Sequence, residues 1–217
     1  MVRLMKPAKT TETPPRSLSY GRQTITDEDI KAVVDTLKSD FLTTGPAVEK
    51  FEQALCTYIG VKHCIVVGNG TQALHLACLA AGLGPGDTAI VPSVTFLATA
   101  NAVRYCGADV LFCDVDPQTG LMRSEDLERT LDRHKDKRIT AVLPVHLTGQ
   151  SVALDQITDL AKSRDITVIT DACHALGGSF GGHKIGACAY EDMATFSFHP
   201  VKPITTGEGG AITTNND

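Results

Sequence analysis

The 217-residue sequence predicts one large α/β domain, built on a mainly parallel sheet with helices on both faces. Short runs rich in β-branched residues alternate along the chain with longer stretches whose apolar residues recur at helical spacing. A chain of this length is expected to bury a substantial core. Apolar residues make up 42% and charged residues 21% of the sequence, which is ordinary for a soluble globular protein.

The composition excludes several classes of protein. The formal net charge is -5, so the chain lacks the basic surface that nucleic acid or an anionic membrane requires. No run of about eighteen apolar residues predicts a membrane span. The seven cysteines are scattered singly without a C-x-x-C pair, which argues against a disulfide framework or zinc ribbon and favours a reducing cytoplasm. His146 and His183 have no partners at metal-ligand spacing, so no zinc site is expected.

The chain is expected to begin with a tail. Residues 1–19 mix Lys, Arg, Thr and Pro without periodicity, and no apolar core follows the positive charges. This pattern predicts a flexible segment and argues against a secretory signal. The globular domain is then expected to cover residues 20–217.

Two helices are predicted at the start of the domain. Thr26 can cap the first, and its apolar residues at i, i+3, i+4 and i+7 predict a buried stripe. The chain then breaks at Gly45-Pro46 before a second helix that ends at Gly60. The residues expected to face inward are Ile30, Val33, Val34 and Leu37 in the first helix and Val48, Phe51, Leu55 and Tyr58 in the second.

A glycine-rich turn, G-N-G-T-Q-A-L, follows the strand predicted at 64–67. A strand, a glycine turn and a helix start together form an anion site, because unpaired N–H groups and the helix dipole point outward. Taken alone, the turn is better interpreted as a plain connection between a strand and a helix. Gly68, Gly70 and Ala73 also fit the dinucleotide pattern G-x-G-x-x-A. However, the next strand ends in Pro92-Ser93 and not in the acid that this pattern requires.

Strands and helices alternate through the rest of the chain, and repeated units of this kind imply parallel strands covered on both faces. Phe96 lies just past the end of the strand predicted at 88–91, at the start of a helix, where an aromatic is usually part of the core. Further strands are predicted at 110–113, 139–145, 167–171 and 193–197, with helices beginning at Ser124 and covering 152–162.

Three chemically useful side chains follow predicted strand ends. Asp171 ends one strand, Ser197 ends another, and Lys202 comes five residues after Ser197. In open α/β sheets, ligands bind at the carboxyl ends of the strands. An acid, a hydroxyl and an amine at that edge suit a pyridine-phosphate cofactor, since they offer partners for its ring nitrogen, its phosphate and its aldehyde.

Each of these residues also has a structural interpretation. Asp171 fits a helix cap, Ser197 fits a hydroxyl bonded to backbone, and an isolated lysine is normally a solvated charge. The spacing, together with the apolar, proline-flanked segment around Lys202, favours the functional interpretation. His174 is either a core histidine or a cofactor neighbour three residues after Asp171. His199 is assigned a structural or supporting role.

Two motifs, T-D-A-C-H-A-L-G-G and S-F-H-P-V-K-P-I-T-T-G-E-G-G, resemble those of the DegT/DnrJ/EryC1/StrS sugar aminotransferases, which are fold-type-I pyridoxal-phosphate enzymes. The resemblance runs from about Tyr20 to the last residue. It is strongest to the branch that aminates C4 of UDP-linked 4-keto-6-deoxy-N-acetylhexosamines in pseudaminic acid biosynthesis. Members of the family carry a further C-terminal segment, so the resemblance implies a cofactor-binding large domain at 20–217 that stops before the family's small domain.

The resemblance also implies a set of cofactor contacts. Lys202 corresponds to the lysine that bonds to the cofactor's aldehyde, and Asp171 to the partner of its ring nitrogen. Ser197 and the glycine turn correspond to the phosphate site, His174 to a neighbour of the ring hydroxyl, and Phe96 to the aromatic that stacks on the ring. The implied contacts are Gly70, Thr71, Phe96, Asp171, His174, Ser197 and Lys202.

The implied reaction is transfer of an amino group from L-glutamate to the keto carbon of a nucleotide-linked deoxysugar, in a cytoplasmic homodimer. Related dehydratases carry histidine at the position of Lys202, so the lysine favours amino transfer. Two alternatives remain open at this point. One is a catalytically incomplete cofactor-binding fragment of such an enzyme, and the weaker one is a nicotinamide oxidoreductase with the same sheet topology.

Overall fold

The computed structural model describes residues 21–217, and the tail predicted at 1–19 lies outside the described residues. Within 21–217 the chain forms six α-helices, nine strands and one short 3₁₀ helix at Leu147–Gly149. The helices are α1 (Asp27–Leu37), α2 (Pro46–Ile59), α3 (Gly70–Ala80), α4 (Leu97–Tyr105), α5 (Ser124–Arg133) and α6 (Leu154–Lys162). The strands are β1 (His63–Val67), β2 (Thr88–Pro92), β3 (Asp109–Cys113), β4 (Ile139–Val142), β5 (Thr167–Asp171), β6 (Ser179–Phe180), β7 (His183–Lys184), β8 (Met193–Ser197) and β9 (Gly210–Thr214).

Seven of these strands form one sheet, in the order β1-β9-β8-β5-β4-β2-β3. Every neighbouring pair from β8 to β3 is parallel. Strand β9 is antiparallel to both of its neighbours, β1 and β8. The prediction of an α/β fold with a mainly parallel sheet is therefore confirmed. The short strands β6 and β7 form a separate antiparallel hairpin.

Helices cover both faces of the parallel part of the sheet, because successive side chains of a buried strand point to opposite faces. Ile90, Val142 and Val168 pack in a buried cluster with side chains of α5 and α6. The neighbouring Val91 and Leu143 pack in a second cluster, with α3 and α4. None of the helices within residues 21–217 is both long enough and apolar enough to cross a membrane.

Helix α1 forms as predicted, but its apolar stripe is not buried. Thr26 caps the helix and shares a capping box with Asp29, so the local signal that starts the helix is correct. Its apolar side chains are exposed, with Val33 at 60% and Leu37 at 64%, and no residue of α1 is buried. The prediction that this stripe faces inward is therefore wrong. Helical spacing shows that a helix has an apolar face, but it does not show what covers that face.

Helix α2 buries only part of its predicted face. Leu55 is buried, and Phe51 packs edge-on against Phe198 with 5.2 Å between ring centroids. Val48 and Tyr58 are exposed, which contradicts the prediction for those two residues. Ile59, next to Tyr58, is buried instead, so the buried face of α2 is rotated relative to the face expected from the sequence.

Candidate functional site

A pocket of about 740 Å³ opens at the carboxyl ends of β5 and β8, beside the amino ends of α3 and α4. This is the sheet edge at which the sequence predicts a ligand. All of the predicted contacts line it: Gly70, Thr71, Phe96, Asp171, His174, Ser197 and Lys202. The fold thus brings together residues that lie up to 132 positions apart, from Gly70 to Lys202.

Asp171 is the buried acid of the pocket, at 5% exposure. The hydroxyl of Thr99 donates a 2.7 Å hydrogen bond to its Oδ2. The backbone N–H of Cys173 donates a 3.2 Å bond to its Oδ1. The second contact caps a turn, which agrees in part with the structural interpretation of this residue, but no helix follows β5 directly. The carboxylate therefore does more than close a turn.

The amino end of α3 forms an anion cradle beside Ser197. Asn69 caps the helix by accepting a 2.9 Å hydrogen bond from the N–H of Gln72. A Cβ on Gly70 would lie 2.8 Å from the Cβ of Ser197 and 3.1 Å from the Sγ of Cys173. Because glycine has no side chain, the first N–H groups of the helix remain reachable next to the Ser197 hydroxyl. This arrangement suits the oxygen atoms of a phosphate group.

Lys202 lies in a turn after β8 and is half-buried. Its backbone N–H donates a 2.9 Å hydrogen bond to the carbonyl oxygen of His199, which places the lysine close behind the strand end. The flanking Val201 and Ile204 are exposed, so the apolar segment seen in the sequence does not enclose the amine. By contrast, Lys184 lies exposed in the β6–β7 hairpin, with its ammonium 3.3 Å from the centre of the Tyr58 ring.

The histidine and cysteine next to Asp171 respond to the charges of the pocket. Burial lowers the pKa of His174, and the positive charge of Lys202 lowers it further, against an opposing effect of Asp171. Burial raises the pKa of Cys173 well above its ordinary value; Asp171 adds to the increase and Lys202 opposes it. His174 also accepts, at Nδ1, a 3.2 Å hydrogen bond from the N–H of Thr148. An imidazole and a thiol whose neutral forms are favoured therefore line the pocket together with the acid and the lysine.

Phe96 stands at the mouth of the pocket with 73% of its surface exposed. The interpretation of this residue as part of the core is wrong, because it precedes the first residue of α4 and points away from the sheet-facing cluster. Val94 and Leu97 on the same loop and helix start are also exposed. The mouth is thus apolar.

The other histidines differ in their placement. His199 lines the pocket, and its Nδ1 accepts a 3.4 Å hydrogen bond from the N–H of Val201. His146 is fully buried beside the end of β5, and burial lowers its pKa to about 4. His183 is exposed in the hairpin. Within residues 21–217 no group of three or more His, Cys, Asp or Glu side chains is placed to hold a metal ion.

A second hollow, of about 940 Å³, lies at the opposite end of the sheet. It surrounds the amino ends of β1 and β8 and includes Lys62 and Asp217, which form an exposed ion pair. It holds none of the predicted site residues. Because the carboxyl ends of the parallel strands β5 and β8 face the smaller pocket, we assign function to that pocket.

Two threonines linked to the acid of the smaller pocket escaped the sequence analysis. Thr95 lines the pocket from the loop before α4, and Thr99 reaches Asp171 from the first turn of α4. Thr95 precedes the N-cap residue Phe96, so helical spacing does not relate the two threonines, and the sequence offers no local signal for their contact.

Comparison with known proteins agrees with this geometry. The model of the DegT/DnrJ/EryC1/StrS aminotransferase family matches residues 23–217. The chain belongs to this family. Over 199 residues it is 45% identical to a UDP-4-amino-4,6-dideoxy-N-acetyl-beta-L-altrosamine transaminase of Campylobacter jejuni, covering 92% of the chain and 52% of the relative. It is 47% identical over 175 residues to a GDP-perosamine synthase of Caulobacter vibrioides, covering 81% of the chain and 46% of the relative.

A solved structure shows the same fold. The PLP form of Spr1654 from Streptococcus pneumoniae, described as a candidate sugar aminotransferase, superposes with a TM-score of 0.85 at 30% identity. The match covers 93% of this chain and 54% of that protein. The chain thus spans about half the length of the relatives that it matches.

Proposed function

We propose that this chain is the cofactor-binding part of a pyridoxal-phosphate-dependent sugar-nucleotide aminotransferase. The observation that carries the proposal is the placement of Asp171, Ser197 and Lys202 in one pocket, beside the amino end of α3. Membership of an aminotransferase family and the likeness to a PLP-form structure support it.

The pocket residues fit the chemical groups of pyridoxal phosphate. The open cradle at Gly70 and Thr71, together with the Ser197 hydroxyl, suits the phosphate. The buried carboxylate of Asp171 suits a protonated ring nitrogen, and His174 suits the ring hydroxyl. Phe96 lines the mouth of the pocket, and its exposed ring would supply an aromatic face for the flat ring of the cofactor.

When bound, pyridoxal phosphate supplies an aldehyde that receives amino groups and a ring that accepts electrons from the donor's α-carbon. The protein supplies position and proton transfer. Lys202 provides the amine of the pocket, and its Nζ accepts and returns the proton that moves during transfer. Asp171 holds the ring nitrogen in its protonated form through a charge-assisted hydrogen bond. The neutral side chains of Cys173 and His174 keep the floor of the pocket free of competing charge.

The proposed substrates are L-glutamate as donor and a UDP-linked 4-keto-6-deoxy-N-acetylhexosamine as acceptor, with amination at C4 as in pseudaminic acid biosynthesis. The Campylobacter jejuni relative acts on a UDP-linked amino-dideoxysugar by its name, which supports UDP. The Caulobacter vibrioides relative is named for a GDP-linked sugar. A direct comparison of UDP-linked and GDP-linked keto-sugars therefore tests the proposed acceptor.

We also propose that the enzyme is a cytoplasmic homodimer. The exposed apolar residues Val94, Phe96 and Leu97 at the pocket mouth support association, because contiguous apolar surface favours a partner. All seven cysteines are free thiols, which supports a reducing compartment.

The test begins with the full chain incubated with pyridoxal phosphate, reduced with borohydride and measured by intact mass spectrometry. A single covalent adduct at Lys202 is expected, and absence of an adduct would refute the proposal. A glutamate half-reaction, followed by absorbance, then separates an aminotransferase from a fragment that binds the cofactor without turnover. Turnover with nicotinamide in place of pyridoxal phosphate would favour an oxidoreductase.

A further inference from the structure

The hydroxyl groups of Thr95 and Thr99 lead from the pocket to the carboxylate of Asp171. The Thr95 and Thr99 hydroxyl oxygens are 2.7 Å apart, and Thr99 Oγ1 is 2.7 Å from Asp171 Oδ2. Thr99 is fully buried, whereas Thr95 is half-buried and lines the pocket. We propose that Thr99 is the positioning residue of Asp171 and that Thr95 fixes the orientation of the Thr99 hydroxyl.

The direction of the hydrogen bonds follows from the donors available. An ionised carboxylate only accepts hydrogen bonds, and a hydroxyl has one proton to donate. The Thr99 proton is therefore used on Asp171, and the proton between the two threonines comes from Thr95. Each hydroxyl then donates one hydrogen bond. Thr95 donates to Thr99, and Thr99 donates to Asp171.

Without Thr99, the carboxylate of Asp171 keeps the 3.2 Å bond from the N–H of Cys173 and a contact with the thiol of the same residue. The terminal torsion of an aspartate is broad, and both remaining contacts come from Cys173 on one side, so the carboxyl plane is less restrained without Thr99. The shorter bond from Thr99 removes this freedom. A fixed carboxyl plane presents the same lone pairs to the pocket at all times, which lowers the cost of binding a partner there.

The two hydroxyls also connect Asp171 to the loop that carries Phe96. Thr95 directly precedes Phe96 in sequence, and both line the pocket. The orientation of the acid and the position of the mouth loop are thus linked by two hydrogen bonds. This inference rests on the proposed function, because the group that Asp171 faces is taken to be the ring nitrogen of the cofactor.

The experiment measures pyridoxal-phosphate binding to the apoprotein of the full chain, by fluorescence and by the visible circular dichroism of the bound cofactor. Thr99→Val keeps the shape of the side chain but removes the hydroxyl, and Thr99→Ser keeps the hydroxyl. A hydrogen bond to a charged group predicts about tenfold weaker binding for Thr99→Val, a changed dichroism signal, and binding within about threefold of wild type for Thr99→Ser. Thr95→Val is expected to have a smaller effect of the same sign.

Thr158→Val is the matched control. Thr158 is a buried threonine on α6 whose hydroxyl has no hydrogen-bond partner among the described residues, so its loss leaves cofactor binding unchanged. Thermal unfolding of each apoprotein checks that the variants fold. If Thr99→Val and Thr99→Ser lost the same amount of cofactor affinity, Thr99 would have a packing role and the inference would be overturned. Wild-type binding and dichroism in Thr99→Val would overturn it as well.

The carboxyl carbon of Asp171, observed by ¹³C NMR in the apoprotein, separates this inference from the proposed function. Failure of the wild type to bind the cofactor would refute the proposed function alone. The NMR comparison then decides the inference, since loss of the Thr99 hydrogen bond shifts the Asp171 carboxyl resonance in Thr99→Val but not in Thr158→Val. An unchanged resonance would overturn it.

Discussion

The carboxylate of Asp171 accepts a 2.7 Å hydrogen bond from the hydroxyl of Thr99, which lies 72 residues earlier in the chain. This contact joins the end of β5 to the start of α4, across the floor of the pocket. The acid was predicted from the sequence, whereas the hydroxyl that holds it was not.

Replacement of this acid is expected to separate binding from chemistry. In Asp171→Asn the amide oxygen still accepts the bond from Thr99, while the amide NH2 group cannot accept the bond from the Cys173 N–H. The side chain keeps its size, so the cofactor is still expected to bind. The neutral amide does not hold a protonated ring nitrogen, so single-turnover rates with glutamate are expected to fall by about 100-fold or more. Stopped-flow absorbance measures this rate. An unchanged rate would show that Asp171 only caps the turn at Cys173 and has no part in the chemistry.

Loss of the pocket lysine is expected to abolish the covalent bond to the cofactor. Lys202→Ala removes the only lysine that lines the pocket in the described part of the chain. Lys184→Ala is the control, because Lys184 lies in the β6–β7 hairpin against Tyr58. Intact mass after borohydride reduction is expected to show the adduct in wild type and in Lys184→Ala only. An adduct that persists in Lys202→Ala would contradict the assignment.

A side chain added at the phosphate cradle is expected to weaken cofactor binding. In Gly70→Ala the new Cβ would lie 2.8 Å from the Cβ of Ser197, so the helix end or β8 must shift. We expect the affinity for pyridoxal phosphate to fall at least about tenfold. Overpacking is expected to lower the free energy of unfolding by about 1–3 kcal/mol. Gly84→Ala is the matched control, since its Cβ meets no atom within 4 Å. Titration of both apoproteins with pyridoxal phosphate decides; equal affinities would place the phosphate elsewhere.

His146 is expected to make stability depend on pH. Burial lowers its pKa from the ordinary 6.5 to about 4 in the folded protein, so the unfolded chain binds a proton first as the pH falls. Its contribution to stability is fully present above pH 6.5 and is lost between pH 6.5 and 4, by roughly 3 kcal/mol.

His146→Asn tests this dependence. The asparagine oxygen can occupy the place of Nδ1, which accepts a 3.3 Å hydrogen bond from the N–H of Val152, but it does not titrate. Denaturant unfolding between pH 7 and pH 4.5 is expected to show a shallower loss of stability in the variant. The same slope in both proteins would show that other groups cause the pH dependence.

The exposed apolar face of α1 is expected to drive association of the 217-residue chain. Val33 and Leu37 are exposed and lie one helical turn apart, so lysines at both positions break the apolar face without a change in the core. Sedimentation velocity is expected to show self-association in wild type and a lower association state in the double variant. A wild-type chain that remains monomeric at high concentration would contradict this prediction.

Much of the fold is predictable because its signals are local. The capping box at Thr26, the left-handed Gly60 that ends α2 and the β-branched run that becomes β5 each depend on a few adjacent residues. The site residues at strand ends follow from the same logic, since parallel strands end at one edge. Strand β4 shows the limit: it was expected to reach residue 145 and ends at Val142, with one isolated bridge from Val145 to Asp171.

The sequence by itself determined the α/β alternation, the family and the seven residues that meet in the pocket. Only the tertiary structure decided the antiparallel insertion of β9 between β1 and β8, which pairs His63 with Thr214. It also decided that the apolar face of α1 is exposed and that Thr99 reaches Asp171. These features depend on contacts between residues far apart in the chain, and local propensity and periodicity carry no information about which distant segments pack together.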